Sequence, residues 1–180
     1  MQIIPTALNG LFIIKPKVFE DDRGYFFESY NKEFFQKNGI KDEFLQDNQS
    51  LSQKGVLRGL HFQNPPHAQA KLVRVITGSV LDVAVDIRKN SPTYGKHVAE
   101  VLSEKNKTMM LVPEGFAHGF LVLEDNTIFS YKCSRVYNKE SEEGILWNDE
   151  DIAINWTIKN PVLSEKDRVA KKLKEFESKF

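Results

Sequence analysis

The chain has 180 residues, 41% of them hydrophobic and 28% charged, with Lys+Arg and Asp+Glu both at 25. That balance suits a globular fold with a real core, and zero formal net charge argues against a nucleic-acid coat or a membrane-surface protein. The length suits one domain over residues 1–180, and the only cysteine, Cys133, excludes a disulfide framework or a thiolate metal centre within one chain.

The N-terminal stretch MQIIPTALNGLFIIKPK has no charged region followed by a long apolar one. No signal peptide or membrane span is expected, and a reducing cytoplasm suits the cysteine count. Short apolar runs broken by turn residues then recur, an all-β pattern. Leu11–Ile14 and the aromatic-rich Gly24–Tyr30 predict strands. Asn31–Asn38 predicts a helix capped by Asn31 and ended by Gly39. Val56–Phe62 follows a Lys54-Gly55 turn, and Ala70–Thr77 and Ser79–Arg88 flank Gly78 as a predicted hairpin. In the second of these, Leu81, Val83, Val85 and Ile87 make one face, with Asp82, Ala84 and Asp86 on the other. Val98–Leu102, Thr108–Val112, Gly119–Leu123 and Thr127–Tyr137 follow, with a sharp turn at Pro113-Glu114-Gly115. Ser164–Phe180 opens with Ser-x-x-Asp and predicts a charged, solvated helix. These elements predict an all-β jelly-roll barrel or sandwich with short peripheral helices.

Several polar groups are embedded in the apolar runs. In VLRGLHFQ, Arg58 and His61 fall on opposite faces of a regular strand, and a bulge at Gly59 would bring them to one side. Lys71, Asp82, Asp86, His118, Tyr131 and Tyr137 occupy comparable positions. Buried charges and imidazoles are costly unless paired, so such a cluster points to a site inside the barrel. Pro113-x-Gly115-x-x-His118 resembles the second half of the metal motif of cupins, but HFQNPPHAQAK lacks the His-x-His of the first half. Histidines 61, 67, 97 and 118 make no convincing ligand set, so acid–base chemistry without metal is expected, with His67 and His97 at the surface. Phe12, Phe19 and Phe129 read as core.

FEDDRGYFFESYN, QDNQS, VLRGLHFQ, AKLVRVITGSVLDVAVDIRKNSPTYGK, VPEGFAHGFLVL, YKCSRVY, WNDEDIAINW and LSEKD, in that order, resemble the dTDP-4-dehydrorhamnose 3,5-epimerase family. The resemblance implies a homodimeric, metal-free cupin without cofactor. Its substrate would be a dTDP-sugar, dTDP-4-dehydro-6-deoxy-D-glucose, and its product dTDP-4-dehydro-L-rhamnose. It implies His61 as base, Tyr131 as proton donor, and Lys71 and Arg58 at the sugar and phosphates with His118 alongside. Arg23 and Glu28 would touch the nucleotide, with Gln46 and Asn48 nearby and Tyr137 stacked on the thymine. Glu142 and Lys166 would join the binding set. Asp167 and Asp82 would orient the two histidines, although Asp167 also sits where a carboxylate caps a helix. A single-carbon epimerase on a related sugar nucleotide, a metal cupin and a non-catalytic sugar-nucleotide-binding module are the competing readings.

Overall fold

The computed structural model describes residues 1–180. Two antiparallel sheets pack face to face. One runs β1 (Gln2–Pro5), β2 (Phe12–Lys15), β10 (Met109–Val112), β7 (Lys71–Thr77), β12 (Thr127–Cys133), β5 (Gln46–Ser52). The other runs β13 (Glu142–Gly144), β6 (Leu57–Gln63), β11 (Phe116–Val122), β8 (Ser79–Asp86), β9 (His97–Ser103). A separate hairpin pairs β3 (Phe19–Asp21) with β4 (Gly24–Phe26). Two short helices, α1 (Lys32–Lys37) and α2 (Glu165–Arg168), lie outside the sheets. This is the all-β jelly-roll sandwich that the sequence predicts. No helix is long and apolar enough to cross a membrane.

Period-two alternation distributes the apolar residues over three layers. Val73, Val75, Met110 and Phe129 from the first sheet meet Val80, Ala84, Phe120 and Val122 from the second. Burying one such side chain contributes about 1.5–3 kcal/mol. Phe35 of α1 and Ile40 cover Ile14, Leu72, Met109 and Leu111 on the outside of the first sheet. Trp156, Leu173 and Phe176 cover Leu57, Leu60, Phe62, Val83, Val85 and Ile87 on the outside of the second. The alternation expected in β8 is therefore present, and its apolar face points outward beneath the C-terminal segment. The face bearing Asp82 and Ala84 points into the sandwich.

The structure corrects several expectations. Ala70–Thr77 and Ser79–Arg88 do not form a hairpin, because β7 and β8 belong to different sheets. Gly78, at φ +79°, is a corner where the chain crosses between layers, and a Cβ there would lie 2.3 Å from the Thr127 hydroxyl. The strand predicted over Gly24–Tyr30 ends at Phe26, and the one over Thr127–Tyr137 ends at Cys133.

The helix predicted over Ser164–Phe180 stops at Arg168. Beyond it, Leu146 N–H donates to the Lys171 carbonyl at 2.8 Å, and Leu173 N–H donates to the buried Asp149 carboxylate at 2.8 Å. These bonds replace the ones a helix would make internally. A more open chain also spans more of the sheet, since a strand rises about 3.3 Å per residue and a helix 1.5 Å. Phe176 and Phe180 accordingly both reach Phe62, with ring centroids at 5.1 and 6.3 Å. The tail is a wall of the core rather than a solvated face.

Asp86 also departs from expectation, since it takes no part in the interior cluster. It pairs with Arg88 at 2.7 Å and accepts from Ser91 and Thr93, tying down the turn after β8.

Candidate active site

Gly59 settles how Arg58 and His61 come to one side. Across β6 and β11, His61 stands opposite His118 and Arg58 opposite Phe120, so three steps on one strand match two on the other. The extra residue is a bulge. Leu57, Leu60 and Phe62 point out to the core while Arg58 and His61 point in. Gly59 has φ +137°, and a Cβ on it would lie 2.5 Å from the Gly119 Cα, so only glycine fits.

The inward side chains line a cleft of about 480 Å³ between the sheets. His61 and His118 enter from the second sheet, and Lys71 and Tyr131 from the first. Arg58 stands at its edge with Nε and Nη2 donating to the Ser52 hydroxyl at 3.3 and 3.2 Å and no carboxylate partner. Phe120 and Phe129 form the apolar wall. A smaller recess of about 130 Å³ shares His61, Lys71 and Tyr131 and extends to Gln46, Asn48, Tyr137 and Glu142.

Each interior histidine has a carboxylate. His61 Nε2 lies 2.5 Å from Asp167 Oδ1, and His118 Nε2 lies 2.9 Å from Asp82 Oδ1. Asp167 reconciles the two roles open to it. The Asp167 backbone N–H donates to the Ser164 hydroxyl and caps α2, which leaves the carboxylate free for His61. Burial pushes the Asp167 carboxyl up, but hydrogen bonds from His61, Ser164 and the Gly59 backbone outweigh it and hold it below the usual range. Asp82 is fully buried, with Oδ2 unpartnered inside the protein.

Lys71 forms no ion pair, and its Nζ donates only to the His61 carbonyl, at 3.4 Å. Burial pulls its pKa down, opposed by Cys133, Asp82 and Glu142. An unneutralised cation facing a cleft is a ready partner for negative charge that develops there. Burial also raises the Tyr131 phenol, with nearby Cys133 adding to this, so the group stays a proton carrier at neutral pH.

Tyr131 and Tyr137 lie six residues apart, about 20 Å along a straight strand. The early end of β12 removes the difficulty, because the chain turns back after Cys133 and both side chains line the recess. The Tyr137 hydroxyl donates to Glu142 at 2.9 Å, and Glu142 pairs with Lys166 at 2.5 Å. Burial raises the Glu142 carboxyl, but bonds from Lys166 and Tyr137 outweigh it and lower it overall.

Arg23 and Glu28 are not brought to the cleft. Arg23 extends into solvent bound to Asp21 at 2.5 Å, and Glu28 accepts from Asn31. His67 and His97 also lie outside it, half-buried. Sequence reasoning did not single out Gln49 and Ser50 of β5, which line the cleft, or Cys133, opposite Lys71 in the sheet. The first two lie within QDNQS, which alternates polar residues and gives no apolar signal. Phe129 is core, as expected, and also a cleft wall. No group of three or more His, Cys, Asp or Glu side chains is placed to hold a metal ion.

The family model for dTDP-4-dehydrorhamnose 3,5-epimerase matches residues 5–175. The chain is 55% identical over 168 residues to the dTDP-4-dehydrorhamnose 3,5-epimerase of Shigella flexneri, covering 93% of each chain. It superposes on the crystal structure of the Elizabethkingia anophelis enzyme of that name with a TM-score of 0.93 at 51% identity, covering 97% of each chain. The Legionella pneumophila dTDP-6-deoxy-D-glucose-3,5-epimerase, solved in complex with dTDP-4-keto-L-rhamnose, gives 0.94 at 48% identity, covering 98% of this chain and 94% of that one. With a match over nearly its whole length and a cleft that pairs histidine–aspartate dyads with a lysine and a tyrosine, this chain belongs to the dTDP-4-dehydrorhamnose 3,5-epimerase family.

Proposed function

We propose that this chain epimerises dTDP-4-dehydro-6-deoxy-D-glucose at C3 and C5, giving dTDP-4-dehydro-L-rhamnose in dTDP-L-rhamnose biosynthesis. The observation that carries the proposal is that His61 and Tyr131 enter one cleft from opposite sheets, with Lys71 lining the same space. The C4 ketone acidifies the C–H bonds on both neighbouring carbons. His61, held by Asp167, takes a proton from one face of the ring, and such base catalysis typically contributes about 10²–10⁴-fold. Charge moves to the C4 oxygen, where the Lys71 ammonium stabilises the enolate. Tyr131 returns a proton from the opposite face, which inverts the centre. The phenol then recovers its proton from solvent.

Arg58, with no carboxylate to satisfy it, suits the diphosphate. Tyr137 stacks on the thymine, and Gln46, Asn48, Glu142 and Lys166 frame the nucleotide. The His118–Asp82 pair shapes the cleft floor beside the sugar. A complete base, donor and cation set favours catalysis over simple binding, because binding needs no base opposed to an acid.

The working form is a cytoplasmic homodimer. The hairpin of β3 and β4 supports dimerisation, because Phe19, Tyr25 and Phe26 are all more than half exposed on it. Arg23 on that hairpin and Glu28 just after it reach no nucleotide recess in their own chain and serve that of a second copy. Sedimentation at micromolar concentration, with Phe26→Asp as the variant, tests this; an unchanged mass in the variant contradicts it.

Incubation of the purified protein with dTDP-4-dehydro-6-deoxy-D-glucose, followed by NMR of the sugar, tests the activity. Appearance of the L-configured product supports the double epimerase. Inversion at C3 alone makes the chain a single-carbon epimerase.

A further inference from the structure

Half of the His61–Asp167 dyad is carried by a segment with little else to hold it. The backbone anchors its two ends. Val162 N–H donates to the Gly55 carbonyl at 2.8 Å and Leu57 N–H to the Val162 carbonyl at 3.0 Å, while Leu146 N–H donates to the Lys171 carbonyl at 2.8 Å. Between these anchors Asp167 is the only buried residue, so α2 sends no apolar side chain into the core. Glu165 and Arg168 pair with each other at 3.8 Å, and the Arg168 guanidinium donates to the Leu163 carbonyl of the same segment. Two side chains of α2 attach it to the sheet. Asp167 meets His61 on β6 and Lys166 meets Glu142 on β13, both at 2.5 Å. These strands are neighbours, with Gly144 opposite His61 and Glu142 opposite Gln63. Glu142 is itself held from a third side by the Tyr137 hydroxyl at 2.9 Å.

We propose that Lys166 and Glu142, besides framing the nucleotide, are positioning residues that hold Asp167 against His61. Consecutive residues on a helix point about 100° apart. One contact therefore leaves α2 free to turn about it, and a second contact from the next residue does not. With no apolar anchor in α2, the Lys166–Glu142 pair is the contact that fixes this turn. A ring nitrogen facing an ionised carboxylate carries the hydrogen, which leaves the other nitrogen of His61 to take the proton from the sugar. A misplacement of about 1 Å in such an arrangement costs up to about 10²-fold in rate. A partly exposed ion pair contributes little to stability, so its effect here is on geometry. The inference rests on the reading of His61 as base.

Three variants test it. Lys166→Met removes the cation and keeps most of the stem. Glu142→Gln removes the charge and keeps the shape. Lys166→Arg keeps the pair. The first readout, taken on the free protein, is the far-downfield proton NMR signal of the short His61–Asp167 hydrogen bond, assigned by its loss in Asp167→Asn. The second is kcat at saturating sugar nucleotide, measured beside KM. Lys166→Met and Glu142→Gln should each broaden or lose the signal and lower kcat about tenfold. The double variant should lose no more than either single one, because both remove the same attachment, and additive losses would overturn the proposal. Lys166→Arg should keep the signal and most of the activity. Melting temperatures should move by less than about 3 °C, which separates misplacement of the dyad from unfolding. An intact signal with an effect confined to KM would overturn the proposal and leave both residues as plain nucleotide contacts. A lower kcat with an intact signal would overturn it as well, since the pair would then act on the substrate directly. Failure of the unmodified protein to convert the sugar would sink the proposed function, while the signal would still judge how α2 is held.

Discussion

Asp167 and His61 stand 106 positions apart in sequence and 2.5 Å apart in space, on a contact that joins the C-terminal segment to the centre of β6. In the proposed mechanism the carboxylate fixes which imidazole nitrogen carries a proton and supports the cation formed on proton abstraction. The tail that covers the outside of the second sheet thus also completes the dyad within it. Asp167→Asn preserves shape but offers an amide in place of the charge. It should lower kcat by about 10²–10⁴-fold with little change in KM. A loss confined to KM would make Asp167 a structural cap only.

If Tyr131 is the donor of the proposed mechanism, Tyr131→Phe should separate the two halves of the reaction. The variant should still exchange C–H for C–D, because His61 and Lys71 remain, yet fail to invert C5. Mass and NMR analysis of sugar recovered from D₂O reads both. Normal inversion would remove Tyr131 from the donor role.

In the proposed mechanism Lys71 trades stability for chemistry. A cation lining the cleft without an ion pair costs free energy, and burial lowers its pKa in the folded protein. The folded state therefore binds fewer protons than the unfolded chain just below the usual lysine pKa, so this penalty is full below the folded pKa and fades as pH rises from there towards the usual lysine value. Lys71→Met should abolish turnover and raise Tm by about 2–4 °C at pH 7, equivalent to about 1 kcal/mol. A lower Tm would mean that the ammonium is compensated in the resting protein.

Asp86 acts in the opposite sense. Burial raises its carboxyl, but bonds from Arg88, Ser91 and Thr93 outweigh this and lower it to about 2. Its folded value lies below its unfolded one, so its stabilisation is present above about pH 4 and is lost as pH falls towards 2. Asp86→Asn should cost roughly 2 kcal/mol at pH 7, by denaturant midpoint, with the gap closing below pH 3. A gap independent of pH would assign the loss to packing.

Gly59→Ala tests the bulge that delivers Arg58 and His61 together. The added methyl meets the backbone of Gly119, which cannot turn aside, and the φ of +137° is strained for alanine. A loss of more than about 2 kcal/mol is expected, with activity falling in whatever protein folds. Wild-type stability would mean that β6 and β11 can separate at no cost.

The sandwich was legible because apolar alternation is a local signal, and Leu81 to Ile87 carry it plainly. The interior set of Arg58, His61, Lys71, His118 and Tyr131 stood out because each breaks such a run. Strand β5 was not legible, since QDNQSLS presents polar groups to the cleft and to solvent alike. The C-terminal segment was misread for a different reason. Its capping signal and charge are local, whereas the bond from Leu173 to Asp149 and the contact of Phe176 with Phe62 are tertiary and override helix propensity. The Gly78 corner was misread because a glycine between two apolar runs has the same local pattern whether the strands pair or part. Cys133 gives no sequence signal, and only the register of β7 and β12 places it opposite Lys71.

The most direct test of the central claim is deuterium incorporation. The purified protein is incubated in D₂O with dTDP-4-dehydro-6-deoxy-D-glucose, and the sugar is read by mass and NMR. Two-sided proton transfer between His61 and Tyr131 predicts deuterium at both C3 and C5 with inverted configuration at each. Deuterium at one carbon, or inversion without exchange at either, would contradict it.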